Sequence, residues 1–211
     1  GSRPREEFLD AIDVLLREGV LVEPRGALDR LRFRHDLLRE VVYVELPRAR
    51  RRELHARVAA LLAARGAGDD LIAIAYHAAA ADDSERALNA LPRAAERLAQ
   101  LHDSQGAVRL IREYLRLEAD LDPAAREKRR GVTSALRSRL AELELLLGHP
   151  AACGEEARLL LAAATAAGDS AAECDARHWL AASLRRRGSL DEARIEAAAA
   201  VRLARGLGDR R

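Results

Sequence analysis

The chain contains no methionine, and Phe, Trp and Tyr together make up only 3% of its 211 residues. A core built from large rings is therefore excluded, and the apolar share of 49% falls chiefly on Ala and Leu. These are the strongest apolar helix formers, which predicts a mostly helical protein packed through small side chains. Two cysteines, Cys153 and Cys174, cannot make a disulfide framework in so long a chain, so a reducing cytoplasm is the expected location. No apolar run approaches the roughly 18 residues of a membrane helix, and no membrane partner is predicted. A dominant charge is missing too. With 36 basic against 34 acidic residues the formal charge is +2, so no global field draws the protein onto a polyanion and partners must be recognised locally. There is no G-x-x-x-x-G-K-[ST], H-E-x-x-H, G-x-S-x-G or C-x-x-C. The sequence thus assigns no catalytic residue, no metal set and no phosphate loop, and no enzyme is predicted.

What is present begins with a small mixed segment. Phe8, Ile12, Leu15 and Leu16 recur at helical spacing and Gly19 follows, so a helix should end near Glu18 with a left-handed residue beyond it. "VLVE" and "RLRFR" then read as two short strands joined by the "PRGALD" turn. Asp36 is predicted to cap the next helix, which carries Leu37, Leu38, Val41, Val42 and Val44, and Pro47 to open another at its permissive first turn. Helix, hairpin and helix in that order are the back half of a winged helix.

Beyond Pro47 every segment reads as helix, with short breaks that make neighbours antiparallel. Leu54, Val58, Leu61 and Leu62 should line one face of the helix after Pro47, and "LIAIAYHAAAA" follows the "RGAGDD" break. Ser84 is read as a cap for the next helix, and Pro92 should kink it or mark a join, because proline lacks the N–H and crowds the preceding turn. A long helix is expected from about Ala124 to Leu147. The last third carries an internal repeat: "LLLGHPAACGEEARLLLAAA" and "LRRRGSLDEARIEAAAAVRLA" align with Gly148 on Gly188.

That alignment resembles tetratricopeptide repeats, helical hairpins of about 34 residues with small side chains where helices cross. In the second copy Leu180, Ala181 and Leu184 take the first-helix positions, Gly188 the turn, and Ala193, Ala197 and Ala200 the second helix. Ala94, Ala95, Leu98, Ala107, Ile111 and Tyr114 read the same way earlier in the chain. The resemblance covers about two thirds of the sequence and implies a mostly all-α protein, an α-solenoid of tetratricopeptide-like hairpins preceded by a partial winged helix with one short β-hairpin.

A second resemblance lies in "LLREGVLVE … LRFRHDLLREVVYVELPRARRRELHARVAALL". This stretch, followed by helical repeats, looks like the segment after the nucleotide-binding core in bacterial signal-transduction ATPases of the STAND class, among them large ATP-binding LuxR-type regulators and ATPases fused to cyclase or kinase domains. Arg34, His35 and Asp36 match the place of the motif known as MHD, with Arg34 in place of the Met. The resemblance implies that His35, with Asp36 beside it, approaches the phosphates of ADP in the full-length parent and holds the resting state. ATP or ADP is thus implied for the parent and no cofactor for this fragment.

Other readings of the same residues are weaker. The helix that would enter a DNA groove carries Glu6, Glu7, Asp10 and Asp13, and residues 1–67 hold 14 Arg against 11 acidic residues. Those carboxylates repel phosphate and argue against direct nucleic-acid binding, and Arg48, Arg50, Arg51 and Arg52 are read as solvated surface or as a contact with the nucleotide-binding domain. Cys174 and His178 are four apart on one helix face, yet zinc wants three or four ligands. Cys153 reads as a small core residue, His77 as a packed helix residue, and Trp179 as helix packing.

The chain begins "GS" and ends "GLGDRR", which reads as an excised fragment. Residues 1–46 are expected to form the end of a winged-helix domain and residues 47–211 the repeat domain, with 47–67 as its linking helix. The expected function is a non-catalytic sensor and relay. A protein, peptide or small inducer would lie on the concave face of the repeats and be coupled to an intramolecular nucleotide-binding domain. The alternative is a constitutive protein-binding scaffold.

Overall fold

The computed structural model describes residues 3–24, 31–65 and 70–208. Among them are ten helices and one two-stranded sheet: α1 (Arg3–Arg17), β1 (Leu21–Val22), β2 (Arg32–Phe33), α2 (Asp36–Glu45), α3 (Arg48–Arg65), α4 (Leu71–Ala80), α5 (Ser84–Gln100), α6 (Ser104–Ala119), α7 (Pro123–Leu146), α8 (Pro150–Ala167), α9 (Ser170–Arg186) and α10 (Leu190–Gly208). The protein is thus mostly helical, as the composition predicts. The chain divides into two units, residues 1–54 and 55–211.

In the first unit α1 ends as its sequence dictates. Gly19 takes φ +68°, Gly19 N–H donates to Leu16 O at 3.1 Å and Val20 N–H to Leu15 O at 2.9 Å, satisfying two carbonyls that the helix leaves open. The strands pair antiparallel, Leu21 opposite Phe33 and Val22 opposite Arg32, a shorter ladder than the two expected runs. Most of the "PRGALD" turn lies outside the described residues. The cap of α2 differs from expectation by one position: His35 is the N-cap, with extended backbone and no side-chain cap bond, and Asp36 is the first helical residue. Asp36 there faces the positive end of the helix dipole rather than a backbone N–H. No residue of α2 is buried.

The second unit is built from helices packed in chain order, and α7 also packs on α9. Four of its helices, α5, α6, α7 and α9, open on capping aspartates. Asp83, Asp103, Asp122 and Asp169 accept backbone N–H groups of Arg86, Gly106, Ala125 and Ala172 at 2.8–3.1 Å. Such a cap is worth about 0.5–2 kcal/mol. Asp83, not Ser84, therefore caps α5. The helix also runs unbroken through Pro92, so the expected join is absent. Buried Leu88, Leu91, Ala94 and Ala95 flank the proline on the packed face and hold the helix across the missing hydrogen bond.

The repeat is reproduced in the fold. Gly148 (φ +83°) and Gly188 (φ +87°) close α7 and α9 in the same way, with His149 N–H donating to Glu144 O at 2.8 Å and Ser189 N–H to Leu184 O at 3.0 Å. Leu180, Ala181, Leu184, Ala193 and Ala200 are buried as the alignment requires. Ala197 is exposed, contrary to expectation. In α3 the buried residues are His55 and Ala59, while Leu61 is 65% exposed, so the packed face is rotated from the one expected.

Candidate functional site

The α7–α8 and α9–α10 hairpins repeat a polar contact as well as a turn. Arg137 on α7 donates to Glu156 on α8 at 2.6 Å, and at the equivalent place one repeat later Arg177 on α9 donates to Glu196 on α10 at 2.8 Å. Arg177 also forks onto Glu173 Oε1, from Nε at 3.0 Å and Nη2 at 2.8 Å, which holds its guanidinium in one orientation. The hydrogen bonds to Glu173 and Glu196 raise its pKa above the usual arginine value. Each arginine stands in the wall of an open groove. The first, about 410 Å³, is lined by Arg126, Arg130, Thr133, Arg137 and Leu160 among others. The second, about 450 Å³, is lined by Ser170, Glu173, Arg177, Arg202 and Leu203 among others. Arg130, Thr133 and Arg137 correspond to Ser170, Glu173 and Arg177 in the register that places Gly148 on Gly188. The two grooves thus share part of their lining one repeat apart, and their walls carry both charges, Glu118 and Glu127 beside the arginines of the first and Glu173 beside those of the second.

A buried polar node fastens the repeats to α6. Glu144 has 3% of its side chain exposed; it accepts from Arg112 Nη2 at 2.7 Å and from His149 Nδ1 at 2.8 Å. A buried carboxylate is tolerated only with such partners. The copy of Glu144 is Leu184, so this node is not part of the repeat. Nothing in sequence separates Glu144 from the other acidic residues, because its partners come from α6 and the α8 cap.

The remaining candidates have structural partners. Cys153 is fully buried and its thiol donates to Trp179 O at 3.6 Å. Burial first, and Glu144 second, push its pKa up to about 11, so it stays protonated at neutral pH and is no nucleophile. Cys174 donates to Ala200 O at 3.4 Å, and the His178 ring stands edge-on to Trp179 at 4.7 Å, so the two side chains serve different contacts. No group of three or more metal-binding side chains occurs among the described residues. His77 Nδ1 lies 2.7 Å from His55 Nδ1, a pairing that sequence reading missed because the two are 22 residues apart. Burial, and then the His55 charge, lower the His77 pKa.

His35 and Asp36 are both exposed at the start of α2, in the unit that does not contain the grooves. Arg34, their neighbour, is anchored: its N–H donates to Val20 O at 2.9 Å. The side chain of His35 is thus presented from a backbone fixed by the hairpin. In the same unit the Arg51 guanidinium lies 5.1 Å above the Tyr43 ring, a cation–π contact. No described helix is long and apolar enough to cross a membrane. No family model matches this chain, and no curated protein matches it either.

Proposed function

We propose that residues 55–211 form a ligand-receiving solenoid of tetratricopeptide-like hairpins, and that the paired grooves, on its concave face, bind a protein or peptide segment or a small inducer. The recurrence of the groove carries this reading: Arg137 and Arg177 stand at equivalent places in its two walls, each held by a glutamate of the next helix. A repeated site suits an extended ligand that presents similar groups to both grooves. In the parent protein this binding is relayed through the winged-helix segment to a nucleotide-binding domain of the STAND class, where His35 and Asp36 face ADP. The reading is supported by exposed His35 at the junction of hairpin and helix. The region itself is non-catalytic and acts in the cytoplasm.

The test uses the full-length parent. Reversing the exposed groove charges with Arg126→Glu and Arg202→Glu should abolish the response to inducer without lowering the melting temperature. His35→Ala should weaken ADP retention roughly ten- to hundredfold, the equivalent of one hydrogen bond to a charged group. An unchanged inducer response removes the groove from the mechanism, and unchanged ADP retention removes the relay.

A further inference from the structure

α7 is longer than its copy in the repeat. It has 24 residues against 17 in α9, and the two helices end at equivalent places, Leu146 and Arg186. The excess is therefore N-terminal, residues 123–129. This extension contributes Pro123, Arg126 and Glu127 to the lining of the 410 Å³ groove, and Arg130 follows at the position where α9 begins. One wall of the groove is thus built from a segment that has no copy in α9.

Little holds that wall in place. The buried residues of α7 are Leu136, Leu140, Ala141, Leu143 and Glu144, and none precedes Leu136. Polar contacts tie the earlier turns to other helices: Arg129 Nη2 donates to Asn89 Oδ1 on α5 at 3.1 Å, and Thr133 Oγ1 to Glu118 Oε1 on α6 at 3.4 Å. The Arg130–Glu127 pair, at 2.9 Å, lies within the segment itself. A helical stretch of this length without an apolar face to bury is marginal in water. Gly131 weakens it further, since glycine is the poorest helix former after proline. Packing does not require it: a Cβ on Gly131 would meet nothing within 4 Å, whereas one on Gly154 would stand 2.6 Å from Ser183 Oγ. The copy of Gly131 in α9 is Ala171. Both flanks, by contrast, are anchored, with Leu121 packed against the core and Leu136 buried in it.

We infer that residues 122–135 are a strap, anchored at Leu121 and Leu136, that unfolds about Gly131 while the repeats stay folded, so that this wall of the groove is movable. Folded, the strap presents Arg126 to the groove; unfolded, it withdraws it. A ligand in contact with Arg126 holds the strap folded, and its binding carries the cost of ordering the segment. That coupling rests on the groove being the binding site, as proposed above. The opening itself does not.

Hydrogen–deuterium exchange of the intact chain, in water and in low concentrations of urea, reads the opening without a ligand. Amides of residues 131–135 should exchange roughly a hundredfold faster than those of residues 140–144 in the same helix, because only the latter wait for the repeats to unfold. Exchange at 131–135 should also be nearly indifferent to urea, since opening the strap exposes little surface, while exchange at 140–144 should accelerate steeply. Gly131→Ala should slow exchange in the strap roughly fivefold, the difference in helix propensity between the two residues. Gly131 is exposed, so the variant should fold. Equal protection of the two sets of amides, a shared urea dependence, or strap exchange unchanged in Gly131→Ala overturns the inference and leaves the groove in place. An inducer response unchanged by the groove charge reversals removes the groove and leaves the strap.

Discussion

Trp179 and Ser138 are joined by a hydrogen bond of 2.9 Å that ties α9 to α7, while the Trp179 carbonyl receives the Cys153 thiol from α8. One residue thus locks a helix onto both members of the preceding hairpin. Trp179→Phe removes the N–H and leaves Ser138 without its donor, at an expected cost of about 0.5–1.5 kcal/mol. Ser138→Ala alone should cost a similar amount, and the double variant less than the sum. Urea unfolding of the four proteins gives the coupling directly.

Position in the repeat, not residue type, should decide the response to overpacking. Ala157 is fully buried beneath α9, and Ala157→Leu should destabilise the unit by about 1–3 kcal/mol. Ala197, its exposed copy, should accept leucine within about 0.5 kcal/mol. Thermal melts that rank the two variants in the opposite order would mean that the register placing Gly148 on Gly188 is wrong.

Glu144 should matter more than any surface ion pair. Its carboxylate is buried while both partners, Arg112 and His149, are 60% exposed, so desolvation falls on the acid. Glu144→Gln keeps the shape and loses the charge, and should cost about 1–3 kcal/mol by chemical denaturation. Arg116→Ala, which breaks an exposed pair with Glu113, should change stability by less than about 1 kcal/mol.

Acid should loosen the α3–α4 contact. The folded-state pKa of His77 lies below its ordinary 6.5, so the unfolded chain binds more protons between the two values. The stability that His77 contributes is complete above 6.5 and is lost as pH falls through the folded value. Melting temperatures measured from about pH 7.5 to about pH 5 should therefore drop more for wild type than for His77→Gln.

The two thiols should react in a fixed order. Cys174 is half-buried, whereas Cys153 is fully buried with its pKa pushed up to about 11. Near pH 8 a thiol reagent should modify Cys174 first and Cys153 only on unfolding, as mass spectrometry of peptides would show.

The helices were largely legible in the sequence, because they are fixed by local signals. Gly19, Gly148 and Gly188 past helix ends, and the helical recurrence of Ala and Leu, each act within one turn of the chain. The internal repeat was legible for the same reason. Where local signals compete, neighbouring residues were confused: Asp83 won the cap from Ser84, and His35 took the position expected for Asp36. The tertiary structure alone decided which members of a repeated pattern are covered. Ala157 and Ala197 sit at equivalent positions, and one is buried because α9 lies on it. The same holds for the His55–His77 contact and for the partners of Glu144, which come from residues 22, 32 and 5 positions away. A helix periodicity specifies a face but not its occupant, since burial depends on which other helix arrives there, and that is settled by packing across distances the local sequence does not encode.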